Sequence, residues 1–79
     1  MNEGLNVERV EILIKELARI IGPGFDTSIS RRVREIGEEL NKMGGMELMI
    51  NVSMKSSAIN PRVRSFLGKW WDGIGDWVD

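Results

Sequence analysis

Three clusters of helix-breaking residues divide the chain into four short segments. The clusters are Gly22-Pro23-Gly24, Gly44-Gly45 and Asn60-Pro61. Proline disfavours helical geometry in the residue before it and lacks a backbone N–H, and glycine adopts the left-handed conformation that commonly closes a helix. With 79 residues in total, the chain must therefore bury its apolar residues by packing short elements against one another.

Apolar residues in three of the segments recur at spacings of three and four, as on one face of an α-helix. The first segment runs from about Val7 to Ile21 and the second from about Ser28 to Met43. The fourth begins at Asn60-Pro61, where asparagine is a good N-cap and proline is tolerated in the first helical position. Its glycines predict a kinked or frayed tail beyond Trp71. Gly37, inside the second segment, indicates close packing of a neighbouring helix.

The third segment, residues 46–58, supports two interpretations. Met46, Met49 and Ile50 fit one face of a helix, but apolar and polar residues also alternate between Met46 and Met54, as in a strand. We predict a helix, because a single strand in an otherwise helical chain would leave its backbone hydrogen-bonding groups unpaired. A strand here would need a partner chain.

These patterns predict an all-α fold, a small four-helix bundle with its helices in antiparallel, up-and-down order. Short connections favour antiparallel neighbours. Hydrophobic residues make up 42% of the chain, which is enough for one core and too few for two, so residues 1–79 are expected to form a single helical domain. The third helix is the one for which the strand alternative stays open.

The chemistry available to the chain argues against an enzyme. Cysteine and histidine are both absent, which removes disulfides, the common zinc ligands, catalytic triads and a histidine general base. The carboxylates show no pattern of an acid/base pair or a metal cage. We therefore predict no catalytic residues, no metal and no cofactor. The N-terminus lacks the features of a signal peptide and no apolar run reaches about 18–20 residues, so we expect a cytoplasmic protein without a membrane span.

Tryptophan and methionine supply candidate contacts with a partner. A tryptophan ring can bury about 150–250 Å² and a flexible methionine adapts to varied surfaces, so both types can form either a core or an interface. The predicted apolar contact residues are Trp70, Trp71, Trp77, Met46 and Met49. Alternatively, the tryptophans close the bundle, and the methionines, with Met43 and Met54, fill its core. A membrane surface is a further alternative for the rings, which the neighbouring aspartates oppose.

The charge order of two segments is inverted relative to the helix dipole. Acidic side chains stabilise helix N-termini, yet both segments begin with arginines. These are Arg31, Arg32 and Arg34 in the second segment and Arg62 and Arg64 in the fourth. In an up-and-down bundle both segments start at the same end, so we predict that these five arginines form a basic binding pole. That end also collects Lys15, Arg19 and Lys55, and the opposite end collects Glu3, Glu8, Glu11, Glu38, Glu39, Glu47, Asp72, Asp76 and Asp79.

The sequence therefore predicts a non-enzymatic helical module for protein–protein interaction or assembly, including self-association as a dimer. The basic pole would meet an acidic surface, and the tryptophans and methionines would supply apolar contact. Nucleic-acid binding through the same arginines is the alternative, although the net charge of −1 is unlike that of most such domains. Local pairing of Arg31 with Glu35 and of Arg34 with Glu38 would instead cancel the basic pole.

Overall fold

The architecture comes from a computed structural model that describes residues 2–22 and 27–78, with side chains from Val7 onward. Three α-helices follow one another along the chain: α1 (Asn2–Ile20), α2 (Thr27–Ile59) and α3 (Arg62–Trp70). No strand occurs in the described ranges, so the all-α prediction and the helical interpretation of the third segment are confirmed. Pro23 and Gly24 of the first predicted break lie outside these ranges. No described helix combines the length and apolar character needed to cross a membrane.

The prediction of four separate helices is not confirmed, because the second and third segments form one helix, α2, with a kink at Gly45. Gly45 has φ 69° and ψ −157°, a combination essentially restricted to glycine. A straight helix with the 33 residues of α2 would be about 50 Å long, yet the longest dimension of the molecule is 39 Å. Thus α2 changes direction at Gly45, and we call residues 27–44 its first arm and residues 46–59 its second arm.

Two ion pairs show that α1 and the first arm run in opposite directions. Arg9, early in α1, contacts Glu39, late in the first arm. Glu16, later in α1, contacts Arg32, early in the first arm. The two helices are therefore antiparallel, as expected for neighbours joined by a short connection.

Asn60 connects the ends of all three helices. Its side-chain nitrogen donates hydrogen bonds to the backbone oxygens of Ala18 at 3.0 Å and Ile21 at 2.6 Å, at the end of α1. Its side-chain oxygen accepts a hydrogen bond from the backbone N–H of Arg62 at 3.1 Å, at the start of α3. The helix starts one residue later than predicted, with Pro61 as the N-cap of α3, and Asn60 contacts its first residue from the position before the cap. Because α2 begins and ends beside the C-terminal end of α1, its second arm runs back along the first.

One core of buried side chains connects the helices, and Gly37 allows its largest member, Trp71, to reach the first arm. A Cβ atom at position 37 would lie 2.5 Å from Trp71 Nε1, which confirms the close packing predicted there. The indole N–H donates a hydrogen bond to the backbone oxygen of Val33 at 2.8 Å. The buried apolar residues are Leu13, Ile14, Leu17, Ile21, Val33, Ile36, Leu40, Met49, Val52, Val63, Leu67, Trp71 and Ile74.

The tail beyond Trp71 leaves the helix, as its glycines predicted. Gly73 and Gly75 have φ values of 89° and 57°, which L-residues rarely adopt. These turns bring Trp77 back onto α3, where its N–H donates to the backbone oxygen of Gly68 at 3.3 Å. The rings of Trp71 and Trp77 meet edge to face with centroids 5.1 Å apart. The tail therefore holds Trp77 beside the core.

Candidate functional site

The structure divides the predicted apolar contact residues between core and surface. Trp71 and Met49 are completely buried, so they stabilise the fold and have no surface to offer a partner. Their assignment as contact residues is corrected accordingly. Trp70, Trp77 and Met46 are half-buried and retain exposed surface.

An open groove of about 550 Å³ brings together one residue from each predicted set, Arg64 and Trp77. The second arm of α2 forms one side of the groove, and α3 with the tail forms the other. We call it the second-arm groove, and its lining residues are Ile50, Ser53, Met54, Ser57, Ala58, Arg64 and Trp77. Within this lining, Ser57 Oγ is shielded from solvent and has no hydrogen-bond partner among the described residues.

An apolar stripe on the second arm faces solvent along this groove. Ile50 is 44% exposed and Met54 is 69% exposed, and Ala58 continues the same spacing of four residues on an exposed position. Between Glu47 and Lys55 the arm carries no charged residue. A monomeric helix usually presents charged or polar side chains to water, so this stripe is the unusual surface of the molecule.

Sequence reasoning missed Ile50 and Ala58 because a buried stripe runs beside them. Met49, Val52 and Ser56 face the core, and both stripes have helical spacing. A single apolar stripe is enough to pack a helix. The sequence does contain a signal for them, because the apolar residues of the second arm cover a wider face than packing on one side requires. The extra width indicates a second, exposed apolar stripe.

Two of the five arginines predicted for the basic pole are engaged within the chain. The Arg32 guanidinium donates to both carboxylate oxygens of Glu16, at 2.5 and 2.9 Å. The Arg34 guanidinium donates to the backbone oxygens of Trp70 at 2.6 Å and Asp72 at 3.2 Å, which caps the C-terminal end of α3. A positive charge at a helix C-terminus is favourable. The inverted charge order of the second segment is thus compensated by neighbouring helices.

The other three predicted arginines, Arg31, Arg62 and Arg64, are exposed and form no ion pair among the described residues. The predicted local pairs do not form there either. The i to i+3 pair that does form joins Arg32 to Glu35 at 3.5 Å. The available part of the basic pole therefore lies around the start of α3 and the first turns of α2.

The opposite, acidic end is partly neutralised. Arg9 donates to both carboxylate oxygens of Glu39, at 2.5 and 2.8 Å. Hydrogen bonds from Arg9 lower the pKa of the Glu39 carboxyl below its ordinary value, and hydrogen bonds from Arg32 do the same to the pKa of Glu16. Glu3 and Asp79, also predicted for this end, lie outside the described side chains. The two predicted poles are weaker than the sequence suggested because these pairs link α1 to the first arm.

A second open groove, of about 560 Å³, lies between α1 and the bend of α2. Its apolar lining includes Val10, Ile14 and Leu48, and its rim carries Glu11 and Lys55. It contains none of the residues predicted for either contact set. In the part of the chain that the structure describes, no three acidic side chains come together in a way that could hold a metal ion.

No protein-family model matches this chain, and no curated protein or solved structure is significantly similar to it. Fold and surface therefore define the chain as an all-helical protein with a partly apolar, partly basic groove.

Proposed function

We propose that the chain is a non-enzymatic protein-interaction module that binds a helix of a protein partner in the second-arm groove. The observation that carries the proposal is the juxtaposition in one groove of exposed Met54, half-buried Trp77 and Arg64, which has no ion-pair partner among the described residues. Recognition of a helix by an apolar groove is a recurring mode of protein binding.

The groove offers both affinity and selectivity. Ile50 and Met54 are 44% and 69% exposed, so burying their remaining surface would contribute about 1–2 kcal/mol each. Tryptophan and arginine are enriched among the residues that dominate binding energy. Arg64 has no carboxylate partner among the described residues, so a glutamate or aspartate on the incoming helix would complete an ion pair. The preferred partner is therefore an amphipathic helix with an acidic flank.

The two arms of α2 act as two separate helices in this proposal. The glycine-specific turn at Gly45 supports an up-and-down arrangement of four rods, in which the second arm lies at the surface and remains available for docking. We regard nucleic-acid binding as the weaker interpretation, because Arg32 and Arg34 are already engaged within the chain. The cytoplasmic location stays a prediction of the sequence.

The experiment uses two helical peptides of about 18 residues that share leucines at spacings of three and four. One carries glutamates along the flank and the other carries lysines. Each is titrated into dilute protein, with the Met54 methyl and Trp77 indole N–H signals followed by NMR. The glutamate peptide should shift both signals and bind at least about tenfold more tightly than the lysine peptide.

Two substitutions provide a matched comparison. Met54→Lys should weaken binding of the glutamate peptide by at least about tenfold, because it places a charge in the apolar stripe. Ile12→Lys replaces a side chain that is 55% exposed on α1, outside the groove, and should leave binding unchanged. Equal effects of both substitutions, or no shift at Met54 and Trp77 with either peptide, would contradict the proposal. Binding of duplex DNA at low salt with neither peptide bound would favour the nucleic-acid alternative.

A further inference from the structure

The charge arrangement around the second-arm groove points to one particular partner, a second copy of this chain. This inference rests on the function proposed above and names the occupant of the same site. We infer that two copies associate about a two-fold axis, with their second arms antiparallel and Met54 near the axis. In such an isologous interface the same surface of both copies is in contact, in opposite orientations. One end of the surface must therefore be complementary to its other end.

The exposed stripe has complementary ends. Glu47 lies at the N-terminal end of the second arm, and Arg64 lines the groove beside the C-terminal part of that arm. Pairing centred on Met54 sets Ile50 of one copy against Ala58 of the other. It also carries Glu47 of each copy toward Arg64 of the other, so that two ion pairs form. A parallel arrangement would instead bring like charges together.

Exposed apolar side chains are present where the second copy would dock. Among the described residues, the exposed large apolar side chains are Val7, Ile12, Ile50, Met54, Ile59 and Val78. Two of these, Ile50 and Met54, line the second-arm groove, and Val78 follows the groove residue Trp77. Clustered apolar surface of this kind marks interaction sites in small proteins. The net charge of −1 adds little repulsion between copies.

The required interface is compatible with the size of the molecule. A standard interface buries about 800 Å² on each partner, which is roughly 15% of the accessible surface of 5196 Å². The elongated molecule, 39 Å in its longest dimension, offers one such face along the second arm and α3. Association would also bury Trp77, so its emission should shift to shorter wavelength as the dimer forms.

The test measures the mass of the full chain by analytical ultracentrifugation over a series of concentrations, with circular dichroism as the check on folding. The wild-type chain should change from monomer to dimer, and Glu47→Arg and Arg64→Glu should each weaken the dimer by at least about tenfold. Mixing the two variants should restore dimers, because each ion pair then joins opposite charges again. The loss of dimer in each single variant distinguishes antiparallel from parallel pairing, because in a parallel pair each substitution would only exchange one like-charge contact for another. Restoration on mixing cannot come from a variant that fails to fold.

Each outcome decides between the two proposals. A wild-type chain that stays monomeric while binding the glutamate peptide through Met54 would overturn the second copy as partner and leave the proposed function standing. A dimer that persists in Met54→Lys would place the dimer contact outside the groove and overturn the second copy as its occupant, whereas loss of both peptide shifts at Met54 and Trp77 would overturn the proposed function. A dimer lost in both charge variants and not restored by mixing them would overturn the antiparallel pairing.

Discussion

Replacement of Gly45 tests the turn that divides α2 into two arms. The Cβ of an L-alanine there would meet no atom within 4 Å, so any effect comes from the backbone alone. At φ 69° and ψ −157°, a residue other than glycine is strained by about 1–3 kcal/mol. For a domain of this size, a loss of 1 kcal/mol lowers the melting temperature by about 4–8 °C. Gly45→Ala should therefore lower it by several degrees or more.

The mirror-image residue gives the opposite result. Reversing both signs of the Gly45 angles gives φ −69° and ψ 157°, which lies in the comfortable polyproline region of an L-residue. D-alanine therefore fits this position without strain. Because it restricts the unfolded chain, Gly45→D-Ala should raise the free energy of unfolding by about 0.4–1 kcal/mol. A chain of 79 residues can be made by chemical synthesis with either form of alanine.

The assay is urea unfolding followed by circular dichroism at equal protein concentration for all three chains. The predicted order of stability is D-alanine, then glycine, then L-alanine. A straight α2 would reverse the sign for L-alanine, because glycine inside a regular helix is about 0.5–1 kcal/mol less stable than alanine. Stabilisation by L-alanine, or equal stability of the two alanine forms, would refute the turn.

Two further predictions concern the core and the ion pairs. Gly37→Ala should lower the free energy of unfolding by about 1–3 kcal/mol or more, measured by urea unfolding, because the added Cβ would overlap the buried ring of Trp71. The control is Gly22→Ala, where the added Cβ meets open space. An equal effect of both substitutions would contradict the close packing at Gly37. The pKa values of Glu16 and Glu39 are lowered in the folded chain. Their ion pairs therefore stabilise the fold above the ordinary glutamate pKa of about 4.3, and this stabilisation is lost as the pH falls through the lowered pKa values of the folded state. Unfolding measured from neutral to acid pH should thus show a smaller loss for the Glu16→Gln, Glu39→Gln double variant than for the wild type, and an identical loss would contradict the pairing.

Local patterns in the sequence predicted the helical segments. The spacing of apolar residues and the helix start near Asn60-Pro61 depend on neighbouring residues and on backbone chemistry. The two glycines at 44 and 45 correctly marked a change of direction. The helix nevertheless continues on both sides of Gly45, because a single glycine with unusual dihedral angles can redirect a helix without a loop.

The partners of the arginines could not be predicted from local spacing. Arg32 pairs across helices with Glu16, and Arg34 caps the distant end of α3. Both contacts depend on how the helices pack, which short-range charge patterns do not contain. The same limit explains why the sequence leaves Trp71 open between core and interface, since its burial depends on the space that Gly37 leaves in another helix.

The distance between the two ends of α2 tests most directly the fold that creates the second-arm groove. The chain has no cysteine, so Thr27→Cys and Ile59→Cys provide two unique sites for spin labels at exposed positions. Pulsed electron–electron double resonance measures the distance between the two labels. The end of α2 is tied to the end of α1 through Asn60, and the connection from Gly22 to Thr27 can reach at most about 3.8 Å per residue. The backbone atoms of residues 27 and 59 should therefore lie within about 30 Å of each other. A distribution centred near 48 Å, the length of a straight helix at about 1.5 Å per residue, would contradict the account.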